Sequence, residues 1–317
     1  MKVKLDFEAP IDEMEKMLQK LKGLQGENDG EFNEQIVELE EKVHRRREEI
    51  YKNLSPWQTV KIARHQERPV LQEYIAMIFS DFIELHGDRH FSDDRALIGG
   101  FARLGKQSVM IIGHNRGKNI QENIERNFAQ ARPDGYRKAL RLMKLAEKYN
   151  IPIISFIDTQ GAYPGKDAEE RGQAEAIARN LTEMAHISVP ILCVVTGEGG
   201  SGGAIGIGVG DVILMLSHAI YSVISPEGCA GILWRDRAYA EQAADALKLT
   251  ATSLKDLGVV DEVIEEPIGG AHKDPDAAAA AIKKALQKNL KRLKGYSLNK
   301  LLNKRFEKYS KIGMFNR

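Results

Sequence analysis

The stretch "IPIISFIDTQGA", residues 151–162, begins with a proline turn, runs apolar from Ile153 to Ile157 except for Ser155, and ends in a glycine loop. A short apolar run bounded by turn residues reads as a strand buried on both faces. The pattern recurs in "VPILCVVTGEGG", residues 189–200, at an offset of 38 that aligns Pro152 with Pro190, Ile153 with Ile191 and Gly161 with Gly199. Between the two, "AEERGQAEAIARNLTEMAHI" reads as a helix. A third instance, "SVISPEGCAGILW" at 222–234, places Ser225 as an N-cap and Pro226 at the first helical position. Repeated strand, loop and helix units set strands beside strands with helices outside, so their loops gather on one edge. The expected fold class is α/β.

Outward from this centre the grammar changes. Ile36, Leu39, Val43 and Ile50 form one apolar seam in a charged segment, which predicts a helix over residues 33–53. A second helix is expected around 10–22, and "GENDGE" separates the two into a helical hairpin. At the other end, Asp274 before Pro275 opens "DPDAAAAAIKKALQKNLKRL", a strong helix. The expected organisation is a hairpin over 1–55, a central domain over 56–270 and a helical extension over 271–317.

With 317 residues, 43% hydrophobic and 29% charged, the chain can bury a sizeable core, and a formal net charge of +1 gives no bulk attraction for nucleic acid. No apolar run is long enough to span a membrane and the N-terminus lacks a leader pattern, so a cytoplasmic protein with no membrane partner is expected. Cys193 and Cys229 offer neither a disulfide framework nor a C-x-x-C metal knuckle. "HGDRH", residues 86–90, lacks further spaced ligands, and no metal is expected. Arg137, Arg141, Lys144 and Lys148 form a basic helical stripe that reads as a solvated face or as a contact for an anionic partner.

The densest signal is "GEGGSGGAIGIGVG", residues 197–210, with eight glycines in fourteen positions. Glycine inside regular structure costs roughly 0.5–1 kcal/mol relative to alanine, so such a cluster implies close backbone approach. Gly197, Gly199 and Gly202 spell a dinucleotide fingerprint, but no acidic partner follows at the required distance. Gly199, Ser201 and Gly203 spell a nucleophile elbow, with Asp261 and His272 following in hydrolase order; a serine hydrolase is thus the rival reading. In the reading that uses more of the glycines, the strand ends near Thr196 and a helix starts near Gly202. The free N–H groups of Gly202 and Gly203 then form an oxyanion site at the helix N-terminus, while Gly203, Gly206 and Gly210 share one helix face. Glycines placed for packing alone are the plainer reading of the cluster, and a noncatalytic assembly scaffold built on the helical ends is a third reading of the chain.

"GEGGSGGA", "FIDTQGAYPG", "AEERGQAEAIARNL", "YSVISPEG", "GYRKALRLM" and "EPIGGAHKDP" together resemble the alpha subunits of bacterial acetyl-CoA carboxylase carboxyltransferase, from residue 5 to about residue 290. One departure is Ala129 in "NFAQAR", where the family carries glycine after the Asn-Phe pair. The resemblance implies a crotonase-like superhelix of strand-strand-helix turns. It also implies transfer of a carboxyl group from carboxybiotin, held on a separate biotin carboxyl carrier protein, to acetyl-CoA to give malonyl-CoA, the entry to fatty acid synthesis. The implied partners are a homologous beta subunit bearing a zinc ribbon, the carrier protein and biotin carboxylase, in an α2β2 heterotetramer whose active site lies between alpha and beta. On this view the amides of Gly202 and Gly203 hold the ureido oxyanion, while Gly161, Ala162, Tyr163, Gly199, Gly200 and Ser201 line the substrate pocket.

Overall fold

The computed structural model describes residues 5–25 and 33–313; "GENDGE" lies outside the described residues. Among the described residues, eight strands form one mixed sheet: β1 (Ser80–Glu84), β2 (Leu97–Leu104), β3 (Gln107–His114), β4 (Ile153–Thr159), β5 (Ile191–Gly200), β6 (Val212–Leu216), β7 (Ile220–Ser222) and β8 (Glu262–Ile264). The order is β1-β2-β3-β4-β5-β6-β8, with β7 paired to the far end of β5. β1, β2 and β3 are antiparallel neighbours, and the pairings from β3 onward are parallel.

The 38-residue repeat is visible as strand register. Ile153 stands opposite Ile191, and each pair through Ile157 and Val195 keeps that offset. Every residue of β4 and of β6 is buried, which is why β6 is continuously apolar and β4 is apolar through Ile157 except at Ser155, instead of alternating. The helices Pro133–Lys148 and Gln173–His186 cross between parallel strands and cover the sheet, sealed by Leu142, Met143, Ala176 and Met184.

The third repeat is shorter than its apolar run suggests. β7 holds only three residues, after which Ser225 accepts a hydrogen bond from the Gly228 N–H at 3.1 Å to cap the helix Pro226–Leu233. The N-terminal helices Ala9–Gln25 and Asn33–Lys52 pack together, joined by an Arg47–Glu15 ion pair, with Ile36 and Val43 buried on the seam. Asp274 caps the helix Pro275–Lys294, whose Ala278, Ile282, Leu286 and Leu290 belong to the same core as the sheet. No helix of the described residues is long and apolar enough to cross a membrane.

Candidate active site

The glycine-rich turn begins with an irregularity in the sheet. After Ile157 and Val195 the next pair is Thr159 with Gly199, so two residues of β4 span four of β5. Asp158 causes the slip: its Oδ1 accepts the Glu198 N–H at 2.9 Å and occupies the space where a Cβ on Gly197 would fall, 2.4 Å away. The expected pairing of Gly161 with Gly199 is therefore displaced, and β5 continues to Gly200 instead of ending at Thr196.

Ser201 then adopts φ +49, a left-handed conformation that costs an L-residue about 1–2 kcal/mol, and the chain turns into the short helix Ser201–Ile205. The helix stops at Gly206, so Gly203, Gly206 and Gly210 share no helix face. Each glycine instead admits a different neighbour. A Cβ at Gly200 would lie 2.1 Å from Gln160 O, at Gly203 2.4 Å from the Gly161 carbonyl carbon, at Gly206 2.7 Å from the Tyr136 ring and at Gly210 2.7 Å from Cys193 Sγ. Gly199 is covered by the Tyr221 ring in the same way, at 2.6 Å. Gly202 is the exception: its nearest neighbour would be Ile177 Cδ1 at an ordinary 3.5 Å.

A cavity of about 620 Å³ opens over this turn, lined by Gly161, Ala162, Ser201 and Gly202 together with Gln130, Gln160, Arg64 and the 223–228 segment. Gly202 and Gly203 sit at the helix start, where an N–H has no preceding carbonyl to bond, and neither donates a hydrogen bond among the described residues. Gly202 faces the cavity; Gly203 is buried behind it against the Gly161–Ala162 peptide. Gly199 and Gly200 form the packed support of the turn, and Tyr163 lies under the Arg132 guanidinium, 4.6 Å from the ring centre, with its N–H bonded to Ala131 O. Ser201 and Gly202 also border a second, apolar cavity of about 480 Å³ that includes Leu181, Ile205, Tyr221 and Tyr309. The turn is thus a thin partition between a polar and an apolar chamber.

The family described as acetyl co-enzyme A carboxylase carboxyltransferase-like matches residues 4–313. The acetyl-coenzyme A carboxylase carboxyl transferase subunit alpha of Geobacter metallireducens is 54% identical over 311 residues, covering 98% of each chain. That of Halalkalibacterium halodurans is also 54% identical, over 100% of this chain and 97% of its own. This chain belongs to the carboxyltransferase alpha-subunit family. The fold agrees with solved structures of transcarboxylase 12S, at TM-score 0.56 and 21% identity over 70% of this chain and 41% of that one. It also agrees with a Pseudomonas malonate decarboxylase hetero-tetramer, at TM-score 0.56 and 15% identity over 67% and 84%. The sheet and its helices are accordingly a crotonase-like carboxyltransferase fold.

In this carboxyltransferase subunit the serine hydrolase constellation does not assemble. Asp261 accepts the Ile213 N–H at 2.6 Å and pairs with Lys308 at the entry to β6, the opposite end of the parallel strands from Ser201. His272 stacks on His65 with ring centres 4.0 Å apart, and burial pushes its pKa down to about 3. The two partners that hydrolase chemistry needs are each committed elsewhere.

Sequence reasoning missed the charged residues around the turn. Arg64 donates to Glu198 at 2.9 Å and to Glu227 at 2.5 Å, tying β5 to the Pro226–Leu233 helix across the cavity edge. Burial opposes the Arg64 charge, but the two carboxylates more than offset it and its pKa rises. Arg116 reaches Asp158 at 3.3 Å and Glu198 at 3.6 Å, and Gln160 donates to Glu198 at 3.4 Å. One signal was present: Gln160 and Glu198 are equivalent positions of the repeat at offset 38. His114, at the end of β3, is 1% exposed against the backbone of Gly203 and Phe156, and burial lowers its pKa to about 3. The basic stripe divides: Lys144 pairs with Glu147 and Glu183, whereas Arg141 donates to the carbonyls of Leu85, His86 and Gly87. No group of three or more His, Cys, Asp or Glu is placed to hold a metal among the described residues.

Proposed function

We propose that this chain supplies the biotin-side half of a carboxyl-transfer site, with acetyl-CoA as acceptor and malonyl-CoA as product. The observation that carries the reading is an unpaired amide at Gly202 on the wall of a 620 Å³ cavity, at a residue that no packing contact requires to be glycine. Carboxybiotin, when bound, supplies the carboxyl group, and negative charge builds on its ureido oxygen as the group leaves. The polar cavity suits a small heterocycle: Gln130, Gln160 and Ser201 offer hydrogen bonds, and the Gly202 amide offers a donor with the helix-start dipole behind it. Gly203, buried behind it, lets the 161–162 peptide close behind the turn. A preorganised donor of this kind is worth about 2.7–4 kcal/mol in other oxyanion sites. Ala162 and Gly161 shape the wall that limits how the ring enters. The methyl proton that acetyl-CoA gives up would pass to the ureido group from which the carboxyl departs, so no side chain of this chain needs to act as a general base.

The thioester is assigned to a homologous beta subunit that completes the site, and biotin to a separate carrier protein, in a cytoplasmic α2β2 assembly served by a biotin carboxylase. The family name, a subunit alpha, supports an obligate partner. The test mixes the purified chain with and without the beta subunit and measures malonyl-CoA formation from a carboxybiotin donor. Activity is expected only in the mixture, and Gly202→Val is expected to lower kcat about 100-fold with complex formation intact. Full activity from this chain alone, or a fully active Gly202→Val, would overturn the assignment.

A further inference from the structure

The segment Gly206–Asp211 carries the chain from the catalytic turn back to the entry of β6, and it lies in neither helix nor sheet. Side chains hold it. Asn180 donates to Gly206 O at 2.9 Å, and Ser155 donates to Ile207 O at 2.6 Å. Asp211 N–H donates to Ile191 O at 2.8 Å, and further anchors come from the helix Leu298–Ser310, some hundred residues later in the chain. Tyr309 Oη accepts the Gly210 N–H at 2.8 Å and lies within donating distance of Gly210 O at 3.1 Å and Gly208 O at 3.3 Å. Arg305, 1% exposed, forks onto both oxygens of Asp211 at 2.9 and 2.8 Å and caps the carbonyls of Met184, Ile187 and Val189. Asp211 in turn accepts the Ile191 N–H at 2.7 Å, so the fork also fixes the start of β5. The Tyr309 ring borders the apolar chamber on whose wall Gly202 and Ile205 lie.

We propose that Tyr309, supported by Arg305, is a positioning residue for carboxyl transfer: it holds the return segment from behind and thereby sets where the Gly202 amide points. The Ser201–Ile205 helix is one turn long and has no length of its own to resist rotation. Its orientation is inherited from β5 on one side and from the return segment on the other. A phenol clamped by three backbone groups is the anchor nearest the middle of that segment. A helix remote in sequence from every lining residue of the polar cavity therefore takes part in the chemistry without touching substrate.

The inference rests on the reading of the Gly202 amide, and the experiment separates the two. In the complex with the beta subunit, Tyr309→Phe removes the hydroxyl and keeps the ring. It is expected to lower kcat about ten-fold while KM for acetyl-CoA stays within about two-fold, the signature of lost transition-state stabilisation. Hydrogen exchange across residues 206–211 is expected to accelerate about ten-fold, with the complex eluting as wild type. A kcat within about two-fold of wild type overturns the inference whether or not exchange accelerates, as does a rise in KM with kcat preserved. If Gly202→Val is itself fully active, the oxyanion reading fails instead. Should Tyr309→Phe not fold, Arg305→Lys, which keeps the charge and loses the fork, makes the same test by the same split.

Discussion

Gly202 and Gly203 are neighbours of one residue type with opposite tolerances. A methyl on Gly203 meets the Gly161 carbonyl carbon at 2.4 Å, whereas one on Gly202 meets only a flexible isoleucine tip at 3.5 Å. Gly203→Ala is expected to cost about 1–3 kcal/mol in urea unfolding, as overpacking does, and Gly202→Ala less than about 0.5 kcal/mol. Activity should fall in both, so only the first loses it together with stability. Ala129 makes the converse case. It is fully buried at φ +60, directly after Asn127 and Phe128 at φ +45 and +54. Glycine would adopt this left-handed turn without the strain an alanine carries. Ala129→Gly relieves about 1 kcal/mol of backbone strain and forfeits about 0.8 kcal/mol of methyl burial, so its unfolding midpoint should match wild type. Ala139→Gly, in the middle of a helix and equally buried, should lose stability on both counts.

Among the elements, β5 is held by buried charge at its start, through Asp211, and along its length, at Thr196. Arg68 donates to Thr196 O at 2.7 Å and forks onto Glu266 at 2.8 and 2.6 Å, with the side chains 4% and 0% exposed. Burial alone would raise the Glu266 pKa, yet Arg68 holds it well below the usual carboxylate range. Arg68→Met strands that carboxylate and should cost about 3–5 kcal/mol in thermal or urea unfolding. Replacing both partners, Arg68→Met with Glu266→Gln, should recover part of the loss, because the penalty lies in the uncompensated charge. The pair was invisible in the sequence: its members are 198 positions apart, and nothing in the local pattern around either marks it as buried. The strands beside it were legible, because an apolar run flanked by proline and glycine has few other solutions.

At the scale of the molecule, acid sensitivity follows from groups buried in their neutral form. His114 has a folded pKa of about 3, below its ordinary value of 6.5, because burial disfavours the charged ring. Its contribution is complete above pH 6.5 and is lost as pH falls toward 3; by pH 5 the loss is about 2 kcal/mol. Asp94 acts in the opposite sense. Burial raises its pKa to about 6, so its share of stability is present at low pH and lost as pH rises from 3.8 through 6. Urea midpoints at pH 7 and pH 5 should therefore fall less steeply with acid in His114→Gln than in wild type, and more steeply in Asp94→Asn. The sequence by itself determined the strands, the 38-residue repeat, the capped helices and the family, because periodicity, caps and long motifs are local in the chain. Only the tertiary structure decided which glycines pack and which face a cavity, that Asp261 and His272 stand apart from Ser201, and that Tyr309 and Arg305 hold the segment behind the Ser201–Ile205 turn. Those facts depend on which distant atoms fill the space beside a residue, and no short-range pattern carries that information.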